Sequence, residues 1–289
     1  EVDAPAYPEG EEIKDGIPAT TRYIWAMSHG GHHHASRLWL GTDPGGLFMS
    51  EDEGNSFQLV QSLWQHPSRK THWMGGGRDM PGIHSIVVDP RNEDHIHIGI
   101  SCAGVFETFD GGNTWEVRNK GLRADFLPEP TADIGHDPHI LVAAAIDPDA
   151  LWQQNHCGIF RTTDGAKTWQ DVSEKEGPAR FGFAIAVAED NPHQAWVAPA
   201  DSDAIRVAIK GSLFICRTDD GGKTWIEQRN GLPQQNCFDI VYRHALANSG
   251  DAVAFGTTTG NLFFSHDRGD NWHVINNYLP MIYSVQFAE

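Results

Sequence analysis

The chain is 289 residues long and carries 21 Lys and Arg against 39 Asp and Glu, a formal charge of −18. Its length and 39% hydrophobic content allow one large repeat-built core or two ordinary ones. The charge weighs against phosphate backbones and anionic membranes, so neither a nucleic-acid nor a membrane partner is expected. Cys102, Cys157, Cys216 and Cys237 are scattered singly with no CxxC pair, which argues against a disulfide framework and a thiolate zinc site. No apolar run approaches the ~18 residues of a membrane span. No apolar leader is visible either, which favours the cytoplasm. The chain starts at Glu1 without a methionine, which suggests a processed or truncated start.

In chain order, residues 1–21 are rich in Glu, Pro and Gly and read as a loop or tail. From Tyr23 a four-strand unit begins and then recurs. Its strands are Tyr23–Met27, Leu38–Thr42 and Gly46–Met49, with a fourth after Phe57. The second unit has Ile83–Val88, Ile96–Ile100, Gly104–Phe106 and Trp115–Val117. The third has Ile140–Ile146, Leu151–Trp152, Gly158–Phe160 and a strand from Trp169. The fourth has Phe183–Val187, Ala195–Val197, Leu213–Ile215 and a strand from Trp225. The fifth has Asp239–Tyr242, Ala252–Phe255, Leu262–Phe264 and a strand from Trp272. Asp89-Pro90 and Asp147-Pro148 read as turns that end a first strand.

Between the third and fourth strands stands one repeated stretch, Thr108-Phe-Asp-Gly-Gly-Asn-Thr-Trp115. It recurs at residues 50–57, 162–169, 218–225 and 265–272. A hydroxyl, an Asp two residues on, a Gly-bearing turn and an aromatic form hairpin chemistry: the carboxylate accepts turn N–H groups and Gly allows positive φ. The expected role of these aspartates is therefore structural. Asp52, Asp110, Asp164, Asp220 and Asp267 lie 58, 54, 56 and 47 residues apart. That period fits four short strands plus loops, so the expected fold is all-β, a β-propeller with five blades in this chain over residues 22–289. Met281–Phe287 reads as the first strand of a further unit that closes the ring. The arithmetic then suggests a six- or seven-bladed ring whose first one or two blades precede this chain.

The five stretches resemble the Asp-box, or bacterial neuraminidase repeat, and the chain is similar to the sialidase-like propeller superfamily. Within it, the chain looks most like bacterial repeat proteins labelled sialidase- or glycosyl-hydrolase-like. It departs from the pattern at Phe57, Ala166 and Asn271. The resemblance implies a propeller but no single activity, since the superfamily holds sialidases, xyloglucan-cleaving glycosidases, sorting receptors and photosystem assembly factors. A true sialidase is not expected, because Arg22 is followed by Tyr-Ile and no Arg-Ile-Pro occurs.

Four-stranded blades put the repeated turns on one face and the longer connections on the other, which directs the search for chemistry to the second. There residues 61–83 carry Trp64, His66, Arg69, Lys70, His72, Trp73, Gly75-Gly-Gly77, Arg78 and Asp79, with His84 following. Residues 118–139 carry Arg123, Asp125, Asp133, His136, Asp137 and His139. Asp43, His156, Asp201 and Asp203 sit on shorter connections. Aromatic platforms beside carboxylates and amides suit a sugar. The expected function is carbohydrate-associated, with glycoside hydrolysis by Asp133 and Asp137 as the activity such a face supports. Ligand binding falls to His84, Arg123, Asp125, His136, His139, His156, Trp73 and Asp43. The alternative is a non-catalytic propeller that binds a protein or peptide. Metal readings of His32-His33-His34 and of Asp133, His136, His139 and His156 are set aside in favour of solvated turns and hydrogen-bonded channel residues, so no metal or cofactor is expected. Gly75–Gly77 reads as a flexible connection, and Cys157 beside His156 is not read as a nucleophile.

Overall fold

Every copy of the repeated stretch folds into the same clamp. In the second copy the Thr108 hydroxyl donates to Asp110 Oδ1 at 2.8 Å, Thr114 N donates to the same oxygen at 2.8 Å, and Thr114 Oγ1 donates to Oδ2 at 2.7 Å. Asp52, Asp164, Asp220 and Asp267 repeat the set, with Asn271 Nδ2 supplying the last bond in the fifth copy. Two consecutive residues in each turn adopt positive φ. Glycine fills most of those positions, but Glu53 (φ 60°), Ala166 (φ 63°) and Arg268 (φ 59°) take the same conformation. The clamp therefore outlasts the loss of individual glycines. The aromatic that follows starts the return strand and plugs the core: Trp115, Trp169 and Trp272 are buried.

The computed structural model describes residues 4–75 and 80–288, and the chain divides into two compact units, Glu1–Leu141 and Val142–Glu289. A short hairpin, β1 (Glu12–Lys14) with β2 (Ile17–Pro18), opens the first. The first blade is β3 (Tyr23–His29), β4 (Leu38–Asp43), β5 (Leu47–Ser50) and β6 (Gln58–Leu59). The second is β7 (Ile83–Asp89), β8 (Asn92–Ile100), β9 (Gly104–Thr108) and β10 (Glu116–Val117). The third is β11 (Pro138–Ala144), in which the chain passes from one unit to the other, then β12 (Asp147–Asn155), β13 (Gly158–Arg161) and β14 (Gln170–Asp171). The second unit continues with β15 (Gly182–Val187), β16 (Ala195–Pro199), β17 (Ile215–Thr218) and β18 (Ile226–Gln228), then β19 (Leu246–Ser249), β20 (Ala252–Gly256), β21 (Leu262–Ser265) and β22 (His273–Asn276). All five sheets are four-stranded, antiparallel and ordered by sequence, which is the topology of propeller blades.

Alternation fills the cores. Ile96, Ile98 and Ile100 of β8 share one face with Trp39, Leu47, Leu63 and Phe106, all fully buried. In the second unit Trp196, Ile215, Val253, Phe255, Phe263 and Trp272 form a second cluster. No helix among the described residues is long and apolar enough to cross a membrane.

The structure departs from the sequence expectations in five places. The N-terminal stretch forms β1–β2 where only a loop or tail is expected, and it is fastened: the Tyr7 ring lies edge-on to Phe48 at 5.1 Å, and its hydroxyl donates to Pro44 O at 2.7 Å. The first connection carries two single-turn helices, α1 (Gln61–Trp64) and α2 (Arg69–His72), which bury Leu63, Trp64 and Arg69. Asp147-Pro148 opens a strand, because the turn falls on Ala145-Ile146. The first strand of the fifth blade is Leu246–Ser249 rather than Asp239–Tyr242, since the Gly250-Asp251 turn fixes its register against β20. Met281–Phe287 forms one parallel bridge, Ser284 to His244, with Ile282 packed on Gly256. Gly76, Gly77, Arg78 and Asp79 of the expected flexible connection lie outside the described residues.

Candidate functional site

The strand order of the first unit brings the start of β3 beside the end of β4, and the start of β7 beside the end of β8. The two blades meet closely there: a Cβ on Gly41 would lie 2.5 Å from Ile83 O. Two aromatics mark this end. The rings of Tyr23 and Trp25 lie 5.5 Å apart, and Trp25 meets His84 edge-on at 5.7 Å. Glycines make the room: a Cβ on Gly82 would lie 2.4 Å from Trp25 Cζ3, and one on Gly99 2.9 Å from His84 Cε1. His84 is fully buried, with Nδ1 2.8 Å from the Ser85 hydroxyl. That hydroxyl also accepts Leu141 N at 2.9 Å, which ties the start of β7 to β11.

Two carboxylates are buried at the same strand ends. Asp43, 2% exposed, is the register partner of Tyr23 and its carbonyl accepts Arg22 N at 2.9 Å. The Thr42-to-Gly46 corner that holds it is pinned through Pro44 O, which accepts from Tyr7, Thr42 and Gly46. Asp137, 7% exposed, accepts Cys102 N at 3.2 Å and sits 3.6 Å from His139 Nε2. The loop that delivers Asp137 is sewn to the β8–β9 turn by Gly135 N to Ala103 O, and to the stretch after β10 by Asn119 Nδ2 to Asp133 O.

The remaining predicted residues are placed differently. Asp133 is exposed, whereas Asp137 is not. Arg123 and Asp125 pair with each other at 2.7 Å on the surface, an interaction worth little. His136 is buried and its Nε2 bonds Ala132 O at 2.7 Å; burial pushes its pKa below the ordinary value, leaving a neutral structural imidazole. Trp73 is core: it is 4% exposed, donates to Ser68 Oγ and packs edge-on against Phe106. The turn of His32-His33-His34 is clamped by Glu93, whose carboxylate accepts His33 N and His34 N at 2.8 and 2.9 Å.

The second unit has its own loop-end group. His156, in the turn after β12, meets Phe181 edge-on at 5.8 Å; Phe181 meets Phe183 at 5.4 Å and Phe183 meets Tyr242 at 5.4 Å. The guanidinium carbons of Arg206 and Arg243 lie 5.5 and 5.7 Å from the Phe183 ring. Asp203 pairs with Arg206 at 2.6 Å. This row is aromatic and cationic, whereas the first unit's end is aromatic and acidic.

The sequence places Tyr23, Trp25, Phe183 and Tyr242 in strands without a role in a site and leaves Phe181 unassigned. The usable signal was an aromatic at or next to the first residues of an inner strand, where a side chain faces the loop end.

No family model matches the chain. An oligoxyloglucan-reducing end-specific xyloglucanase of Emericella nidulans is 24% identical over 216 residues, 65% of this chain and 25% of that protein. A probable enzyme of the same name from Neosartorya fischeri is 24% identical over 267 residues, 82% of this chain and 30% of that protein. The chain thus spans less than a third of the length of the curated relatives it matches. Among solved structures, an ancestral GH74 enzyme aligns with a TM-score of 0.61 at 17% identity, over 92% of this chain and 34% of that one. The GH74 xyloglucanase from Xanthomonas campestris gives 0.60 at 15%, over 88% and 38%. YCF48 bound to D1 peptide gives 0.53 at 17%, over 95% and 74%. At these identities the likeness is one of fold, and that fold is an all-β, glycoside-hydrolase-like β-propeller of four-stranded blades.

Proposed function

We propose that the protein is a carbohydrate-acting Asp-box propeller that binds a neutral oligosaccharide of the xyloglucan kind at the loop end of its first unit. The observation that carries this is the Tyr23–Trp25 ring pair beside the buried carboxylate of Asp43. Apolar ring faces stack on the faces of sugar rings, while fixed acceptors read hydroxyls. The names of the distant curated relatives supply the glycan class. Glycoside hydrolysis needs one carboxyl to protonate the leaving oxygen and a second to activate water or attack. Asp43 and Asp137 are the loop-end acids held in place here, so they take those roles, with His84 and His139 orienting around them; exposed Asp133 is the weaker catalytic candidate.

The test is a turnover and binding screen of the full chain against xyloglucan oligosaccharides. Cleavage is expected to vanish in Asp43→Asn and Asp137→Asn while binding persists. Full turnover in both variants would remove the catalytic assignment, and no binding across the panel would remove the carbohydrate reading.

A second reading is favoured by the aromatic and cationic row of Phe181, Phe183, Tyr242, Arg206 and Arg243 in the other unit. Such a row suits a peptide carrying a carboxylate. Peptide capture lost in Arg243→Ala, with no glycan binding by the parent protein, would select it.

A further inference from the structure

On the second blade, away from the loop-end residues, five titratable side chains converge on one another. His95 and His97 alternate on β8, so both rings leave the same face of the sheet. Glu107 of β9 is the register partner of His97. Its Oε1 lies 2.7 Å from His95 Nε2 and 2.9 Å from His97 Nε2, and all three side chains are buried. Behind them, His95 Nδ1 lies 3.0 Å from Asp89 Oδ2, and Arg118 Nε donates to the other oxygen of Glu107. The His95 ring is covered by Phe109, stacked at 4.3 Å and 15°, which is itself 51% exposed. In the other four copies of the repeated turn that position holds Glu51, Thr163, Asp219 or His266.

We propose that His95, His97 and Glu107 form a binding site for one divalent transition-metal ion, with zinc the best fit. Two imidazole nitrogens and one carboxylate oxygen, with a fourth position open, form a zinc ligand set. The donor atoms all lie within 4.8 Å of one another. Zinc bonds of about 2.0–2.2 Å place tetrahedral ligands about 3.3 Å apart, so the trio has to open by roughly half an ångström. The supporting contacts are those a ligating histidine needs: a carboxylate on the far nitrogen of His95 fixes its tautomer and orientation, and Arg118 orients Glu107. Metal-free, both Nε2 atoms face a single carboxylate oxygen, and an ion placed among the three leaves the Asp89 and Arg118 contacts intact.

The full chain, stripped with chelator, is titrated with ZnCl2 by calorimetry, with metal content read by atomic emission. A variant with His32, His33 and His34 all replaced by Ala serves as the control for the exposed histidine run. One equivalent is expected in both proteins. It is expected to disappear in His97→Ala and in Glu107→Gln, and to weaken about 10- to 100-fold in Asp89→Asn. Co2+ in place of Zn2+ is expected to give the visible d–d bands of a tetrahedral site, absent in Glu107→Gln. Glu107→Gln keeps the side chain's size and carries the test even where His97→Ala fails to fold. No stoichiometric zinc in the parent protein, or one equivalent that persists in Glu107→Gln, overturns the proposal.

Discussion

The residues that count the blades also report on the conformation they impose. Ala166 holds φ 63° at a position where the other four copies have Gly54, Gly112, Gly222 and Gly269. An L-residue pays about 1–2 kcal/mol for that conformation, partly offset by the greater unfolded-state freedom of glycine. Ala166→Gly is therefore expected to raise stability by about 0.5–1 kcal/mol, read from the denaturant midpoint; a loss of stability would contradict it. The turn aspartates also set an acid limit. The hydroxyls of Ser56 and Ser50 lower the pKa of Asp52 to about 2; in Asp220 burial works upward but Thr224 and Thr218 outweigh it, again to about 2. A carboxyl depressed from 3.8 in the unfolded chain stabilises the fold fully above that value and loses this contribution as the pH falls toward 2. Tryptophan fluorescence followed from pH 5 to pH 2 should show the turns loosening below about pH 4; a flat profile over that window would count against the clamp. The role of these aspartates was legible from residue type and spacing alone. The burial of Asp43, Asp137 and His84 was not, because loop order says which end of a sheet a residue reaches but not which way its side chain turns.

Among the elements, the hairpins were legible and their attachments were not. A repeated hydroxyl–Asp–Gly–aromatic stretch specifies its own turn, so each of the five closes as read. The N-terminal hairpin has no such local code. It is held by distant partners: Trp64 Nε1 donates to Glu11 Oε2 at 2.6 Å, and Arg69 Nη1 donates to Ile13 O at 3.1 Å while its guanidinium lies 3.7 Å from the Trp64 ring. Those partners sit in α1 and α2, whose single turns carry no periodicity to read. Tyr7 is the key contact, so Tyr7→Ala should cost about 3 kcal/mol. It should also open residues 4–18 to protease before the blades unfold. Unchanged cleavage kinetics would show that the segment is held by other means. The His95-x-His97 pair was likewise read only as strand. Alternation says that the two rings share a face, but Glu107 enters only through the register of the next strand.

At the scale of the molecule, repeats establish blades and leave function to the loop ends. Each unit carries its own: carboxylates with Tyr23 and Trp25 in one, guanidiniums with Phe181, Phe183 and Tyr242 in the other. A formal charge of −18 favours a neutral ligand over an acidic one. The central claim is that an oligosaccharide lies on the Tyr23–Trp25 pair beside Asp43. It is tested most directly by titrating a neutral oligosaccharide into Asp43→Asn, in which turnover is silenced, and into Asp43→Asn with Trp25→Ala. Stacking on one aromatic is worth about 0.5–1.5 kcal/mol, so the second protein is expected to bind about three- to tenfold more weakly than the first. Equal affinities in the two proteins, or no binding in either, would contradict the account.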